Sequence, residues 1–149
     1  MAREAAPDRL LVVYSIPVHH NPLGISLDED ARAKLVELCE TYRFFLIADE
    51  VYDGLSFPNT SAVQPMAMRN SNYVISTAAF TKILCPGIRC GWIQTSNLEL
   101  MRRIRADGVL DSGGCSSQMS SGIVAQMIQS GALAPYLANL RAEYAKRCH

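Results

Sequence analysis

Residues 73–95 read YVISTAAFTKILCPGIRCGWIQT, and this stretch decides the fold. Two runs within it, 73–77 and 88–95, are rich in the β-branched and aromatic residues that favour strands. A Pro-Gly pair at 86–87 is a turn signal between the two runs. Lys82 lies in the connection, among mainly apolar neighbours. The stretch therefore predicts two strands joined by a short connection that carries a lysine.

Two earlier runs, residues 10–17 and 44–48, are also strand-like, and the first is predicted to be buried. Between them, Ser26 as N-cap and Glu29 three residues later form a capping box, which predicts a helix that runs to about Arg43. Strand and helix signals therefore alternate along the chain, which indicates an α/β fold.

Helical patterns continue after the last predicted strand. Ser96 and Glu99 form a second capping box. Residues 111–118, DSGGCSSQ, are predicted to be a flexible connection to a helix over about 119–130, which Gly131 ends. A sheet of about four strands leaves apolar edges and faces uncovered, so the pattern indicates a piece of a larger fold or a subunit that needs a partner.

The chain of 149 residues has a globular composition, with 49% hydrophobic and 19% charged residues. Acidic and basic residues balance at 14 each, which argues against a nucleic-acid or anionic membrane partner. The apolar runs are too short to span a bilayer, and the N-terminus lacks the apolar core of a secretion signal. The five cysteines show no C-x-x-C pattern, so we expect reduced thiols and a cytoplasmic location.

Polar and charged side chains follow the predicted strands, where open α/β sheets bind their ligands. They are Asn21 after the first strand, Asp49 and Tyr52 after the second, and Lys82 and Arg89 around the third and fourth. A lysine in apolar surroundings can act as a nucleophile, although composition alone favours an ordinary surface lysine. A buried arginine here indicates a bound carboxylate or phosphate or, equally, a structural ion pair. The aspartate needs a partner if it is buried, or else it caps a helix or lies in a loop.

Three other features carry weaker signals. His19 and His20 face opposite ways on an extended chain, and no carboxylate or cysteine completes a metal-ligand set. Residues 111–118 match neither glycine-rich phosphate-binding pattern, and Cys115 lacks an identifiable base. We therefore expect no metal site and no chemical role for these residues.

Three motifs occur in order: Asn21-Pro22-x-Gly24, Asp49-x-x-Tyr52, and residues 80–92, FTKILCPGIRCGW. Their order and spacing resemble the large domain of class I/II aminotransferases, which are fold type I enzymes that use pyridoxal phosphate (PLP). The resemblance is strongest to the branch with 2-aminoadipate and broad-specificity aminotransferases. It extends over roughly residues 10–145.

The implied fold is part of the three-layer α/β/α large domain, with a mixed, mostly parallel sheet of about four strands and flanking helices. Residues 1–131 would form a partial PLP-binding large domain, and residues 132–149 would start a linker helix toward a missing C-terminal small domain. Family members also carry a glycine-rich phosphate loop and an arginine that binds the substrate carboxylate, and nothing in this sequence matches them.

The resemblance implies a role for each candidate residue. Lys82 would bond covalently to PLP and would then act as the general base and acid that moves the substrate proton. Asp49 would pair with the pyridine nitrogen and keep it protonated. Asn21 and Tyr52 would hydrogen-bond the phenolic oxygen of PLP, and Arg89 would bind its phosphate.

The phosphate end of the implied site departs from the family pattern. Thr81 keeps a hydroxyl just before the lysine, but Ala79 stands where family members usually have a serine or threonine that contacts the phosphate. Losing such a charge-assisted hydrogen bond costs about 1.5–3 kcal/mol, so we expect a reduced affinity for PLP.

The implied function is transfer of an amino group between an amino acid and a 2-oxo acid, in a homodimer, without nucleic acid or membrane as a partner. The alternatives are an inactive truncated paralogue, a PLP-binding fragment without its own activity, and another fold type I enzyme such as a C–S lyase. We expect little or no activity from this chain alone.

Overall fold

A computed structural model describes residues 9–58, 60, 63–108 and 117–148. Its strands are β1 (Val12–Ser15), β2 (Phe45–Asp49), β3 (Val74–Ala79) and β4 (Gly91–Gln94). Its α-helices are α1 (Glu29–Tyr42), α2 (Phe80–Ile83), α3 (Leu98–Arg105), α4 (Gln118–Gln129) and α5 (Leu133–Arg147). Short 3-10 helices lie at Asp53–Leu55, Met66–Arg69 and Pro86–Ile88. None of the helices among the described residues has both the length and the apolar character that a membrane-spanning helix needs.

The four strands form one sheet in the order β1-β2-β3-β4. β1 pairs parallel with β2, and β2 pairs parallel with β3, while α1 is the crossover between the first two strands. β4 runs the other way. Thr95, beyond its end, donates to the carbonyl of Val74 at the start of β3, and Phe80, beyond the end of β3, donates to the carbonyl of Cys90. The prediction of an α/β fold with a mixed, mostly parallel sheet is therefore confirmed.

The elements predicted after β3 are present with shifted boundaries. The run 88–95 becomes a strand only from Gly91, because a 3-10 helix occupies the preceding residues and Arg89 has a left-handed φ of 46°. The helix predicted over 119–130 is α4. Gly131 follows it with a φ of 73°, which is the conformation that glycine allows just after a helix.

Both predicted capping boxes are wrong. α1 is capped by Asp28, whose Oδ1 accepts a hydrogen bond from the N–H three residues later at 2.7 Å, and Asn97 Oδ1 caps α3 in the same way at 2.9 Å. The predicted caps are engaged elsewhere. Ser26 accepts a hydrogen bond from a backbone N–H in the preceding loop, and Ser96 donates to a backbone carbonyl. A carboxylate or amide closer to each helix satisfies the free N–H groups instead.

The prediction that the first strand is buried is also wrong. β1 lies at the edge of the sheet, where Val12 is 48% exposed and Tyr14 is 61% exposed. In contrast, Leu46 and Ala48 of β2 are completely buried. The apolar edge expected of an incomplete sheet is therefore present at β1.

The described residues divide into two compact units. The first comprises residues 9–50, 64–77 and 93–102, and the second comprises residues 51–58, 60, 63, 78–92, 103–108 and 117–148. In the first unit, α1 packs on β2 and β3 around a buried set of Cys39, Leu46, Ala48, Met66, Ala67 and Val74. In the second unit, the buried set is Phe80, Ile83, Ile88 and Val124, with Leu133 and Leu137 of α5 packed against it.

Glu50, directly after β2, is a buried carboxyl group in the first unit. It is 6% exposed, and its Oε1 accepts a hydrogen bond from the N–H of Met66 at 2.6 Å. Burial raises the pKa of Glu50, although hydrogen bonds from Met66 and Ser76 and the charge of Arg32 oppose the rise. The side chain thereby ties the end of β2 to the 3-10 helix Met66–Arg69.

We predict that Glu50 makes folding pH-dependent. Because its folded pKa lies above the ordinary value of 4.5, the folded state favours the protonated form. Glu50 therefore stabilises the folded state fully below pH 4.5, and this stabilisation is lost as pH rises through the raised pKa. Glu50→Gln should remove this dependence, whereas Glu50→Ala should cost about 1–3 kcal/mol by leaving the Met66 N–H without a partner. Urea unfolding at acidic and neutral pH measures both effects. Equal pH dependence in wild type and Glu50→Gln would contradict the account.

Candidate functional site

Asp49 ends β2, and Tyr14 of the neighbouring strand reaches it. The Tyr14 phenol donates a hydrogen bond to Asp49 Oδ2 at 2.5 Å. Tyr14 pairs with Ile47 in the parallel register, so Asp49 is the next residue of β2 on the same face of the sheet. Thr77 pairs with Asp49 from β3. Asn21 lies in the exposed loop after β1, within the same unit.

Lys82 lies in the second unit, on the short helix α2 that follows β3. Its side chain is exposed, and its Nζ is 5.9 Å from the centre of the Tyr52 ring, within the range of a cation–π contact. The apolar neighbours Phe80 and Ile83 point into the core, and Thr81 is half-buried. Lys82 is therefore an accessible amine, in agreement with the surface lysine that composition alone favours. The second unit also brings this amine close to the ring of Tyr52.

Helix α5 holds the segments on both sides of this amine. Tyr52 precedes a short 3-10 helix, and Arg141 donates from Nε to the carbonyl of Gly54 in that helix at 2.8 Å. Tyr136 donates its hydroxyl to the carbonyl of Leu84, just beyond α2, at 3.3 Å. These two hydrogen bonds fix the loop that carries the Tyr52 ring and the end of the helix that carries the lysine.

Arg89 lies at the end of the 3-10 helix before β4 and is exposed, so the interpretation of a buried arginine within a strand is wrong. Over the described ranges of the chain, its guanidinium makes no hydrogen bond or ion pair. A guanidinium presents five N–H donors in a planar fork, which matches the oxygens of a carboxylate or phosphate. Within the described residues the alternative of a structural ion pair is therefore not realised, and binding of an anion by Arg89 stays a prediction.

A close backbone contact joins β4 to the end of β3. A Cβ on Gly91 would lie 2.6 Å from the carbonyl oxygen of Ala78, so only glycine fits without a shift of the backbone. The N–H of Phe80 also donates to the carbonyl of Cys90 at 2.9 Å. Together these contacts fix both ends of the connection that carries the lysine and the arginine.

The other candidates of the sequence take no part in this arrangement. His19 is exposed and His20 is half-buried, and no three His, Cys, Asp or Glu side chains cluster as metal ligands in the part of the chain that the structure covers. Burial raises the pKa of the Cys39 thiol to about 11, which makes that thiol unreactive. Cys115 lies outside the described residues, as do the neighbouring residues 111–116.

Sequence reasoning misses Tyr14. It assigns this residue to a buried strand, where a tyrosine is simply a core side chain. The contact with Asp49 depends on the pairing register of β1 with β2, since a slip of one residue would turn the phenol to the other face of the sheet. Side chains alternate between the two faces of each strand, so the sequence can place Tyr14 and Asp49 on one face only when the pairing register of β1 with β2 is known.

The family model described as aminotransferase class I and II matches residues 3–149. The chain belongs to this family. The match confirms the resemblance inferred from the three motifs. The enzymes of this family are PLP-dependent and have fold type I.

Three similar proteins show how much of a full-length relative this chain represents. An uncharacterised protein of Saccharomyces cerevisiae is 31% identical over 151 residues, which cover 91% of this chain and 34% of that protein. Aromatic-amino-acid aminotransferase 1 of Thermococcus litoralis is 28% identical, with 93% of this chain and 33% of that protein covered. The crystal structure of kynurenine aminotransferase from Pyrococcus horikoshii matches with a TM-score of 0.83 at 26% identity, over 98% of this chain and 36% of that one. The chain thus spans about a third of the length of the curated relatives it matches.

The side chains of this aminotransferase chain suit the chemical groups of PLP. Lys82 is an exposed primary amine, the group that reacts with an aldehyde. The guanidinium of Arg89 and the hydroxyl of Thr81 suit a phosphate. The carboxylate of Asp49, held by Tyr14, suits a protonated ring nitrogen. The donor set therefore fits the cofactor of the family.

We predict that Gly91→Ala destabilises the chain by about 1–3 kcal/mol, because the new methyl group must displace a backbone carbonyl. Gly87→Ala is the matched control, since a Cβ at Gly87 meets nothing within 4 Å. It should change the free energy of unfolding by less than about 1 kcal/mol. Urea unfolding of both variants gives the comparison. Equal stabilities would show that the contact between Gly91 and Ala78 does not constrain the connection.

Proposed function

We propose that this chain binds PLP through Lys82 and forms the cofactor-binding part of an enzyme that transfers an amino group between an amino acid and a 2-oxo acid. The supporting observation is the exposed Lys82 amine beside the Tyr52 ring, on a helix that is anchored by buried neighbours. Membership in the aminotransferase family supports the reaction class.

The proposed roles follow from the chemistry of each group. PLP, when bound, supplies an electron sink for the substrate carbon. Lys82 would hold the cofactor covalently, and its Nζ, once the substrate amine has replaced it in that bond, would accept and return the substrate proton. Asp49 binds the pyridine nitrogen, and Tyr52 and Asn21 donate hydrogen bonds to the phenolic oxygen.

The phosphate of PLP is proposed to bind to Arg89 and Thr81. An exposed guanidinium can donate two parallel hydrogen bonds to a phosphate, and a hydroxyl adds a third. Ala79 contributes none, so this chain holds the phosphate with fewer donors than the family pattern provides.

The chain alone is proposed to bind PLP with little or no transamination. It spans about a third of the length of the relatives it matches, so groups elsewhere in a full-length aminotransferase are not represented in it. We propose that amino acid and 2-oxo acid substrates, and a homodimeric assembly, belong to the complete enzyme. Residues 1–131 as the partial PLP-binding domain and residues 132–149 as the linker helix remain our prediction.

We predict that PLP, fixed by borohydride reduction, labels Lys82 specifically. The chain has three lysines, and the other two are paired, Lys34 with Glu37 at 2.7 Å and Lys146 with Glu143 at 2.6 Å. The amine of Lys82 has no such acidic partner in the described residues, so it should react first. Peptide mass spectrometry locates the label.

The matched controls for this labelling are Lys34→Arg and Lys146→Arg, which should not reduce it. Lys82→Ala should abolish the label while its circular dichroism spectrum stays that of the wild type, because the exposed side chain contributes little packing. Equal labelling of all three lysines, or the same labelling after unfolding in urea, would contradict the proposed cofactor site. Unfolding of Lys82→Ala would indicate a structural lysine.

We predict that Arg89→Ala weakens binding of PLP by about tenfold or more, the loss expected for a charge-assisted hydrogen bond. Binding of pyridoxal, which has no phosphate, should not change. Arg105→Ala, which removes another exposed arginine from the same unit, is the control. Equilibrium dialysis with both compounds measures the difference. An equal loss for PLP and pyridoxal would contradict a phosphate role for Arg89.

A further inference from the structure

We propose that Tyr14 is a positioning residue for the cofactor. Its phenol holds the Asp49 carboxylate in one orientation, and through that carboxylate it sets the position of the oxygen that binds the pyridine nitrogen of PLP. The inference rests on the proposed function, because it gives Asp49 the role of the nitrogen ligand. It adds a residue that lies outside the three motifs that carry the family resemblance.

The contact follows from the geometry of two parallel strands. Tyr14 pairs with Ile47, and Asp49 lies two residues further along β2 on the same face. A long side chain can reach this diagonal position on the neighbouring strand. The hydroxyl of Tyr14 arrives 2.5 Å from Asp49 Oδ2, which is a short hydrogen bond to a carboxylate.

The hydrogen bond rather than packing explains the position of Tyr14. The residue is 61% exposed on an edge strand and is absent from the buried core of the first unit. Its ring therefore removes little apolar surface from water, whereas its hydroxyl engages an acidic side chain at the end of the adjacent strand. A carboxylate held by a hydrogen bond loses rotational freedom, which reduces the entropy cost of binding a further group to that carboxylate.

The hydroxyl also leaves Asp49 suited to a cation. A phenol donates one proton and brings no charge, so the carboxylate keeps its negative charge for a protonated ring nitrogen. A lysine or arginine at the same position would neutralise that charge and compete with the pyridinium. Tyrosine at position 14 therefore combines orientation of the carboxylate with retention of its charge.

The first test needs no cofactor. Aspartate labelled with carbon-13 at the carboxyl group is incorporated into wild type, Tyr14→Phe and Tyr144→Phe, and the Asp49 resonance is assigned from its loss in Asp49→Asn. Tyr144 is an exposed tyrosine whose hydroxyl makes no hydrogen bond within the described chain. We expect the Asp49 resonance to shift in Tyr14→Phe and to stay unchanged in Tyr144→Phe. An unchanged resonance in Tyr14→Phe overturns the proposal.

The second test uses PLP labelled with nitrogen-15 in the pyridine ring. Tyr14→Phe should bind PLP about tenfold more weakly than wild type, with its nitrogen resonance displaced toward that of the neutral ring, while the label still attaches to Lys82. Wild-type affinity and resonance in Tyr14→Phe overturn the inference and leave the proposed function standing. Failure of wild type itself to take PLP at Lys82 overturns the proposed function and, with it, the cofactor role of Tyr14.

Discussion

The parallel ladder of β1, β2 and β3 is the constraint on which the candidate site of the first unit depends. Its register pairs Tyr14 with Ile47 and Asp49 with Thr77, and so it decides which side chains share a face. Parallel strands also end at the same edge of a sheet, so the polar residues after them collect there. The buried carboxyl group of Glu50 strengthens this edge by accepting the N–H of Met66 at the end of β2.

In the second unit, the exposure of Lys82 follows from the burial of its neighbours. Phe80 and Ile83, three residues apart, lie on one side of the short helix α2 and enter the core, so Lys82 between them points outward. The contact of Gly91 with Ala78 then fixes the far end of the same connection. Ordinary packing of Phe80 and Ile83 in the core thus leaves the Lys82 amine accessible, and the charged amine itself is not buried.

The fold class and the order of the elements could be predicted from the sequence, because hydrophobic period and turn residues are local signals. The caps could not, because Ser26 accepts the N–H of His19 in the folded loop and Ser96 donates to the carbonyl of Ala67, and both contacts form only in the folded chain. The exposure of β1 depends on what packs against it, and the position of Arg89 depends on its own left-handed backbone conformation just before β4. For the site, the motifs supplied the candidate residues, whereas the contact between Tyr14 and its aspartate partner required the register of the sheet.

Hydrogen exchange of the backbone amides in the purified chain tests the central claim most directly. The N–H of Leu46 donates to Tyr73, and the N–H of Glu50 donates to Thr77, each at 2.8 Å, so these amides report on the ladder between β2 and β3. The account predicts that they exchange among the slowest in the chain, and only through global unfolding. Exchange at the rate of an unstructured peptide would show that the chain does not build the sheet by itself, and would contradict the account.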